Sequence, residues 1–308
     1  MIEQVTIVNS YNEAITIGLR RPEESGYAIT SIGGLEPTQV DIKTTQLTSG
    51  VRYLYTAGFH KQRDITFQIL YYPQNDLLLG VEELREKLYK YCKTNDKVKL
   101  YFEKNHIRYA IEGYVKEHKS TIFSNACGAN ISITCPDPWL YKTDIEHHKT
   151  ISLSQPPVGS EDSFVYSASL VYDGTFRSGP KFSIKPNNYS KFVGDMTVKI
   201  DNNEGSHSIK FLIPSDGLRY PLSSGYSNGI LVVSIIKEQL SVLLYDASDL
   251  SAPPINKIGW ADISTMNLRQ NFPILRNGLN DISITLTGDD KDTAGEITMA
   301  YATLYMGV

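Results

Sequence analysis

The 308-residue chain is 41% hydrophobic and 21% charged, with 22 Gly and 14 Pro, the profile of a globular protein and not of a disordered or fibrous one. Its net charge of −4 is spread evenly: residues 1–148 hold 17 basic and 18 acidic side chains, and the remainder hold 13 and 16. No basic half or arm is available to neutralise phosphates, which argues against direct nucleic-acid binding and against attachment to a membrane surface.

The length allows an ample core and suggests two domains. Twenty tyrosines against two tryptophans fit a β-rich protein, because tyrosine packs well on a half-buried pleat. The opening MIEQVTIVNSYNEAITIGL shows no basic n-region, long apolar core or cleavage site, and no run approaches the ~20 apolar residues of a membrane span. Cytosol-like surroundings without membrane insertion are therefore expected. Cys92, Cys127 and Cys135 are few, odd in number and without CxxC spacing, which points to buried structural thiols.

Gln4 to Ile7 and Ala14 to Gly18 read as strands joined by a turn at Ser10 to Glu13, and Tyr27 to Ile32 as a third, ending at Gly33-Gly34. Residues 36–57 are mostly polar, with isolated apolar positions at Val40, Ile42, Leu47, Val51, Tyr53 and Tyr55. They predict a long hairpin with little core of its own, which needs a neighbouring chain to pair with or cover it. From the residues alone, a clasp on a neighbour and a bare surface loop fit equally. Ile65, Phe67 and Ile69 then alternate in a strand from Asp64 to Leu70.

The spacing of Val81, Leu84, Leu88 and Tyr91/Cys92 predicts a helix over about 79–94, with Glu82, Glu83 and Glu86 early and Lys87, Lys90 and Lys93 late, as the helix dipole favours. No second helix is expected. Val98, Leu100 and Phe102 alternate before an Asn105-His106 turn, Tyr109, Ile111 and Val115 return, and Cys127 to Cys135 follows before PDPWLY (Pro136 to Tyr141) ends the sheet. The first domain is thus residues 1–143, one helix on antiparallel sheets.

Residues 144–150 read as a linker, and 151–308 as strands and turns throughout. Met196, Val198 and Ile200 alternate and Ile209, Phe211 and Ile213 return; Ile230 to Ile236 pairs with Leu240 to Leu244. Asn277-Gly278 marks a tight turn, and Asp281 to Leu286 and Ile297 to Tyr305 are the last strands. Pro214 to Asn228 and Asp246 to Asn267 lack alternation and are expected to be long loops on one end of a β-sandwich. The predicted fold class is mainly β.

The order of these pieces resembles the distal tail proteins (Dit) of long-tailed bacteriophages. It is carried by the single helix, the KVKLYFEKNHIRYAIEGYV hairpin and the ISITCPDPWLY strand. The early YAITSIGGLEPTQVDI, the RDITFQILYYP strand and the closing LRNGLNDISITLTG and ITMAYATLYMGV support it. The resemblance implies a structural hub of the tail tip or baseplate, assembled in the host cytoplasm into a homo-hexameric ring. That ring would join the tail tube protein to the tail-associated hub protein, and DNA would cross its channel without specific contact. It also implies that the hairpin is a belt clasping the next subunit. The second domain would be galectin-like, pointing outwards to dock receptor-binding or other baseplate proteins. The unassigned long loops leave those outer partners open.

Catalytic patterns are weak. Gly225-Tyr226-Ser227-Asn228-Gly229 fits G-x-S-x-G, but no strand precedes it and a β-branched strand follows, so a turn is the favoured reading. Adjacent His147-His148 lacks further ligands, and Asp289 to Glu296 misses the ligand order of a calcium loop. No enzyme, cofactor or metal is expected. The alternative function is carbohydrate binding by the second domain, through an exposed set drawn from Tyr220, Tyr226, Tyr245 and Trp260.

Overall fold

Alternating burial builds the first of two compact units, Met1–Glu146 with Tyr305–Val308; the second is His147–Leu304. The computed structural model describes residues 1–46, 53–73, 80–121, 127–142, 149–153, 163–188, 190, 192–223, 225–236, 239–262, 272–287 and 295–308. No described helix is long and apolar enough to cross a membrane.

The first unit runs β1 (Gln4–Val8), β2 (Ala14–Gly18), α1 (Pro22–Ser25), β3 (Tyr27–Gly33), β4 (Val40–Gln46), β5 (Tyr53–His60), β6 (Arg63–Tyr71), α2 (Val81–Tyr91), β7 (Lys97–Lys104), β8 (Ile107–Thr121), β9 (Gly128–Cys135) and β10 (Leu140–Lys142). Its main sheet has the order β2-β1-β7-β8-β9-β6-β3, with β10 beside β8. In β6 every second residue is buried, from Arg63 to Tyr71. Successive side chains on a strand point to opposite faces, so this phase gives the core one whole side of β6. Val5, Ile7, Ile65, Phe67, Leu100, Ile111 and Ile131 share that core with Leu84 and Leu88 of α2. Both leucines are fully buried, each contributing roughly 2–3 kcal/mol. Tyr27 fixes the helix height by donating its hydroxyl to Leu84 O at 2.7 Å.

α2 is shorter than the predicted 79–94: Gly80 caps it and Cys92 ends it, while Leu79 lies outside the described residues. α1 corrects the expectation of a single helix. Four residues are too few to show a period, and the signals are local: a proline at the start and Gly26 at φ 79° at the end. The three cysteines are free; Cys92 and Cys135 are buried and Cys127 half-buried. Burial pushes the Cys92 and Cys135 thiols up to about 12.

The second unit comprises β11 (Lys149–Ser152), β12 (Ser163–Tyr172), β13 (Lys181–Lys185), β14 (Gly194–Asn202), β15 (Gly205–Ile213), β16 (Arg219–Leu222), β17 (Gly225–Ser234), β18 (Ser241–Asp246), β19 (Ile255–Asn256), β20 (Gly278–Thr287) and β21 (Glu296–Tyr301). One sheet has the order β11-β21-β13-β17-β18-β19, with β16 beside β17, and the other β12-β20-β14-β15. Phe182, Leu231, Val242 and Met299 of the first share a single core with Tyr166, Val198, Phe211 and Ile284 of the second. That is a two-layer sandwich, and the fold is mainly β.

Two further expectations need correction. The stretches read as loops contain β16, β19 and a 3-10 turn at Ile258–Trp260, held by buried Leu218, Tyr220 and Ala261. Strands this short hold too few residues to display alternation. The sequence also does not end in the sandwich: β22 (Leu304–Tyr305) pairs with β10, and Tyr305–Val308 belong to the first unit. Tyr305 meets Tyr109 edge-on there, with ring centroids 5.3 Å apart.

Candidate functional site

Among the described residues, β4 and β5 pair only with each other. Their register runs antiparallel from Val40↔His60 to Gln46↔Tyr53, with an irregularity between Lys43 and Thr44 where β5 carries an extra residue. All seven residues of β4 are exposed. The bulge brings Tyr55 opposite Thr44, onto the face of Val40 and Ile42. A Cβ added at Gly58 would lie 2.7 Å from the Tyr55 hydroxyl and 3.1 Å from Val40, so the Tyr55 ring lies across the glycine beside Val40.

Val40, Ile42 and Tyr55 therefore form one apolar face, with 41%, 65% and 64% of their surfaces exposed. The opposite face pairs Leu54 and Phe59 with Asp41, Lys43 and Thr45, and the Lys43 ammonium sits 5.2 Å from the Phe59 ring centre. Leu54 and Phe59 are likewise exposed, while at the root of the first face His60, opposite Val40, meets the Trp139 ring. Covering Val40, Ile42 and Tyr55 would recover on the order of 1–2 kcal/mol each. Exposed ion pairs such as Lys61–Asp41, at 2.8 Å, supply little. A two-stranded ribbon with bare apolar side chains on both faces is suited to being covered by another chain.

Three of the six hairpin residues singled out in sequence thus come together. Tyr53 lies in β5 opposite Gln46, and Leu47 and Val51 lie outside the described residues. Sequence reading missed Leu54 and Phe59: Phe59 lies past the predicted end of the hairpin at 57, and the bulge that turns Leu54 onto its face leaves no mark on the pattern.

The four aromatics of the second unit do not make one exposed set. Tyr220 is buried and donates its hydroxyl to Pro253 O at 2.8 Å. Tyr226 is exposed with Arg219 above its ring, Tyr245 is half-buried in β18, and Trp260 packs partly into the core with Lys257 4.8 Å from its ring centre. Gly225-Tyr226-Ser227-Asn228-Gly229 is not the expected turn and a strand does precede it: it lies within β17, paired with β16, where Ser227 donates to Asp246 at 2.7 Å and a strand, not a helix, continues. That hydrogen bond, with those from Ser248, holds the Asp246 carboxyl below its ordinary range. His147-His148 and residues 288–294 lie outside the described residues.

One trio missed in sequence is Glu3, Glu103 and His106, whose ligand atoms lie within 4.8 Å of one another. The Gln4↔Glu103 pairing of β1 with β7 assembles it from distant residues. Exposed acidic groups of this kind are common without an ion, and nothing else at the trio points to one.

No protein-family model matches the sequence, and no curated protein matches it. Solved structures do. The Dit protein of phage SPP1, described as a paradigm of the hub adsorption apparatus in phages infecting Gram-positive bacteria, aligns over 97% of this chain and 98% of its own. Its TM-score is 0.58 at 9% identity. A chain of the phage P2 baseplate aligns over 98% of both chains with a TM-score of 0.43 and 9% identity, too distant to add fold detail. The resemblance carried by the sequence motifs is thus met in three dimensions: over 97% of its length, this chain shares the fold of the SPP1 Dit protein.

Proposed function

We propose that the protein is a structural hub subunit of a bacteriophage tail tip or baseplate. The single observation that carries this reading is the β4–β5 hairpin: a ribbon that bares Val40, Ile42, Tyr55, Leu54 and Phe59, on a fold shared over its whole length with a hub protein. Each hairpin clasps the next subunit, and head-to-tail repetition of one interface closes a ring. The ring is a homo-hexamer between the tail tube protein and the tail-associated hub protein. DNA crosses its channel without specific contact, in keeping with the even charge. The second unit docks outer baseplate or receptor-binding proteins, the particle is assembled in the host cytoplasm, and the role is mechanical, not enzymatic.

The sugar-platform reading draws no support from the four aromatics, since Tyr220 belongs to the core. Native mass spectrometry of the purified protein with negative-stain imaging tests the hub reading. A hexameric ring with a central hole supports it. A monomer at every concentration, also in the presence of tail tube protein, refutes it.

A further inference from the structure

Charge does not belong on the inward side of an alternating strand, yet β6 opens with it. Arg63 shares the buried side with Ile65, Phe67, Ile69 and Tyr71, and only 3% of its surface is exposed. A buried guanidinium needs partners for its N–H groups. Its Nε donates to Pro138 O at 2.8 Å, Nη1 to Gly34 O at 2.6 Å and to Glu36 O at 2.9 Å, and Nη2 to Met306 O. All four acceptors are main-chain carbonyls, so the side chain fixes where backbone segments lie.

Those segments are the root of the hairpin and its supports. Gly34 to Glu36 lead into β4, and Arg63 itself follows β5 within three residues. Gly34 sits at φ 84° with Asp64 O only 2.0 Å from where a Cβ would stand, so the entry leg lies directly against the start of β6. Lys61 N donates to Gln39 O at 3.0 Å, tying one leg to the other. Trp139, next to Pro138, meets the ring of His60 edge-on at 4.8 Å. From the other side, Val308 N donates to Leu35 O at 3.2 Å, and a Cβ at Gly307 would lie 2.9 Å from Leu35 O and 3.0 Å from Pro37 N.

We propose that Arg63 is the positioning residue of the β4–β5 hairpin, the centre of a clamp in which Trp139 and residues 306–308 hold both legs and set its direction. The hairpin has no core to fix its own orientation. A partner binding a pre-set ribbon loses less conformational entropy than one binding a swinging ribbon. The use of that direction for ring assembly rests on the proposed function; the clamp itself does not.

Hydrogen exchange read by mass spectrometry on the full chain, as dilute monomer, tests this with two variants. Arg63→Lys keeps the charge but cannot span four carbonyls. Gly307→Val leaves Arg63 intact and drives residues 306–308 off Leu35 and Pro37, so it decides the matter if the lysine variant fails to fold. The expected result is exchange about ten-fold faster in peptides covering 36–46 and 53–61, with wild-type protection kept in β7, β8 and β9. Unchanged hairpin exchange in both variants overturns the proposal, as does an equal loss of protection throughout the first unit. If the hairpin loosens as expected but self-association stays at the wild-type level, the clamp stands and the ring reading falls.

Discussion

β6 and β4 both carry apolar residues at alternate positions, Ile65, Phe67 and Ile69 in one and Val40 and Ile42 in the other, and they end in opposite environments. In β6 the alternating set is buried against α2 and β9; in β4 all seven residues remain exposed. The difference is not propensity, since isoleucines flanked by polar residues occur in both. It is the presence or absence, among the described residues, of a second layer in the same chain. Where a layer exists, alternation reports a core; where none is described, the same signal marks an exposed apolar surface.

Core and hairpin should therefore respond to mutation in opposite ways. Phe67→Ala removes a fully buried ring that stacks on Phe102 at 6.2 Å, and should cost about 3–5 kcal/mol in denaturant unfolding of the first unit. A loss below about 1 kcal/mol would mean that β6 is not core. Ile42→Asp should instead leave unfolding within about 0.5 kcal/mol of wild type and weaken self-association at least about ten-fold in sedimentation experiments. A destabilised monomer would show that the hairpin packs on its own chain.

The pH dependence sharpens the same contrast, because the shifted thiols lie in the core. Cys92 and Cys135 have folded pKa values raised from 9.0 to about 12 by burial. Above 9 the unfolded chain releases those protons and the folded chain does not, so stability is fully present below pH 9 and declines as pH rises towards about 12. Cys92→Ala with Cys135→Ala should flatten that decline in thermal melts at pH 8 to 11, and an unchanged slope would reassign it to other groups. The smallest effect belongs to the hairpin surface. Asp41→Asn, which breaks the exposed Lys61 pair, should alter unfolding by less than about 0.5 kcal/mol.

Much of the core was legible in sequence because strand and helix periods act locally. Ile65, Phe67 and Ile69, and Leu84 and Leu88, land where their spacing placed them. What could not be read depends on distant pairing or on elements too short to show a period. The return of Tyr305 to Tyr109, the assembly of Glu3 with Glu103 and His106, and β16 and β19 all fall in that class. The hairpin was visible as a polar stretch with isolated apolar residues, but its second face was not, since a one-residue bulge puts Leu54 on the face of Phe59. Arg63 shows a third limit. Its four partners are carbonyls, which every residue has, so no motif marks them; the available clue was an arginine in the inward phase of an alternating strand.

The central claim is that the β4–β5 hairpin joins copies of this chain. The most direct test compares native masses of the wild-type protein and an Ile42→Asp, Tyr55→Ser double variant at equal micromolar concentration, with thermal melts alongside. A wild-type hexamer that falls to monomer in the variant, with matching melts, is the predicted result. A variant that assembles as fully as the wild type would contradict the claim.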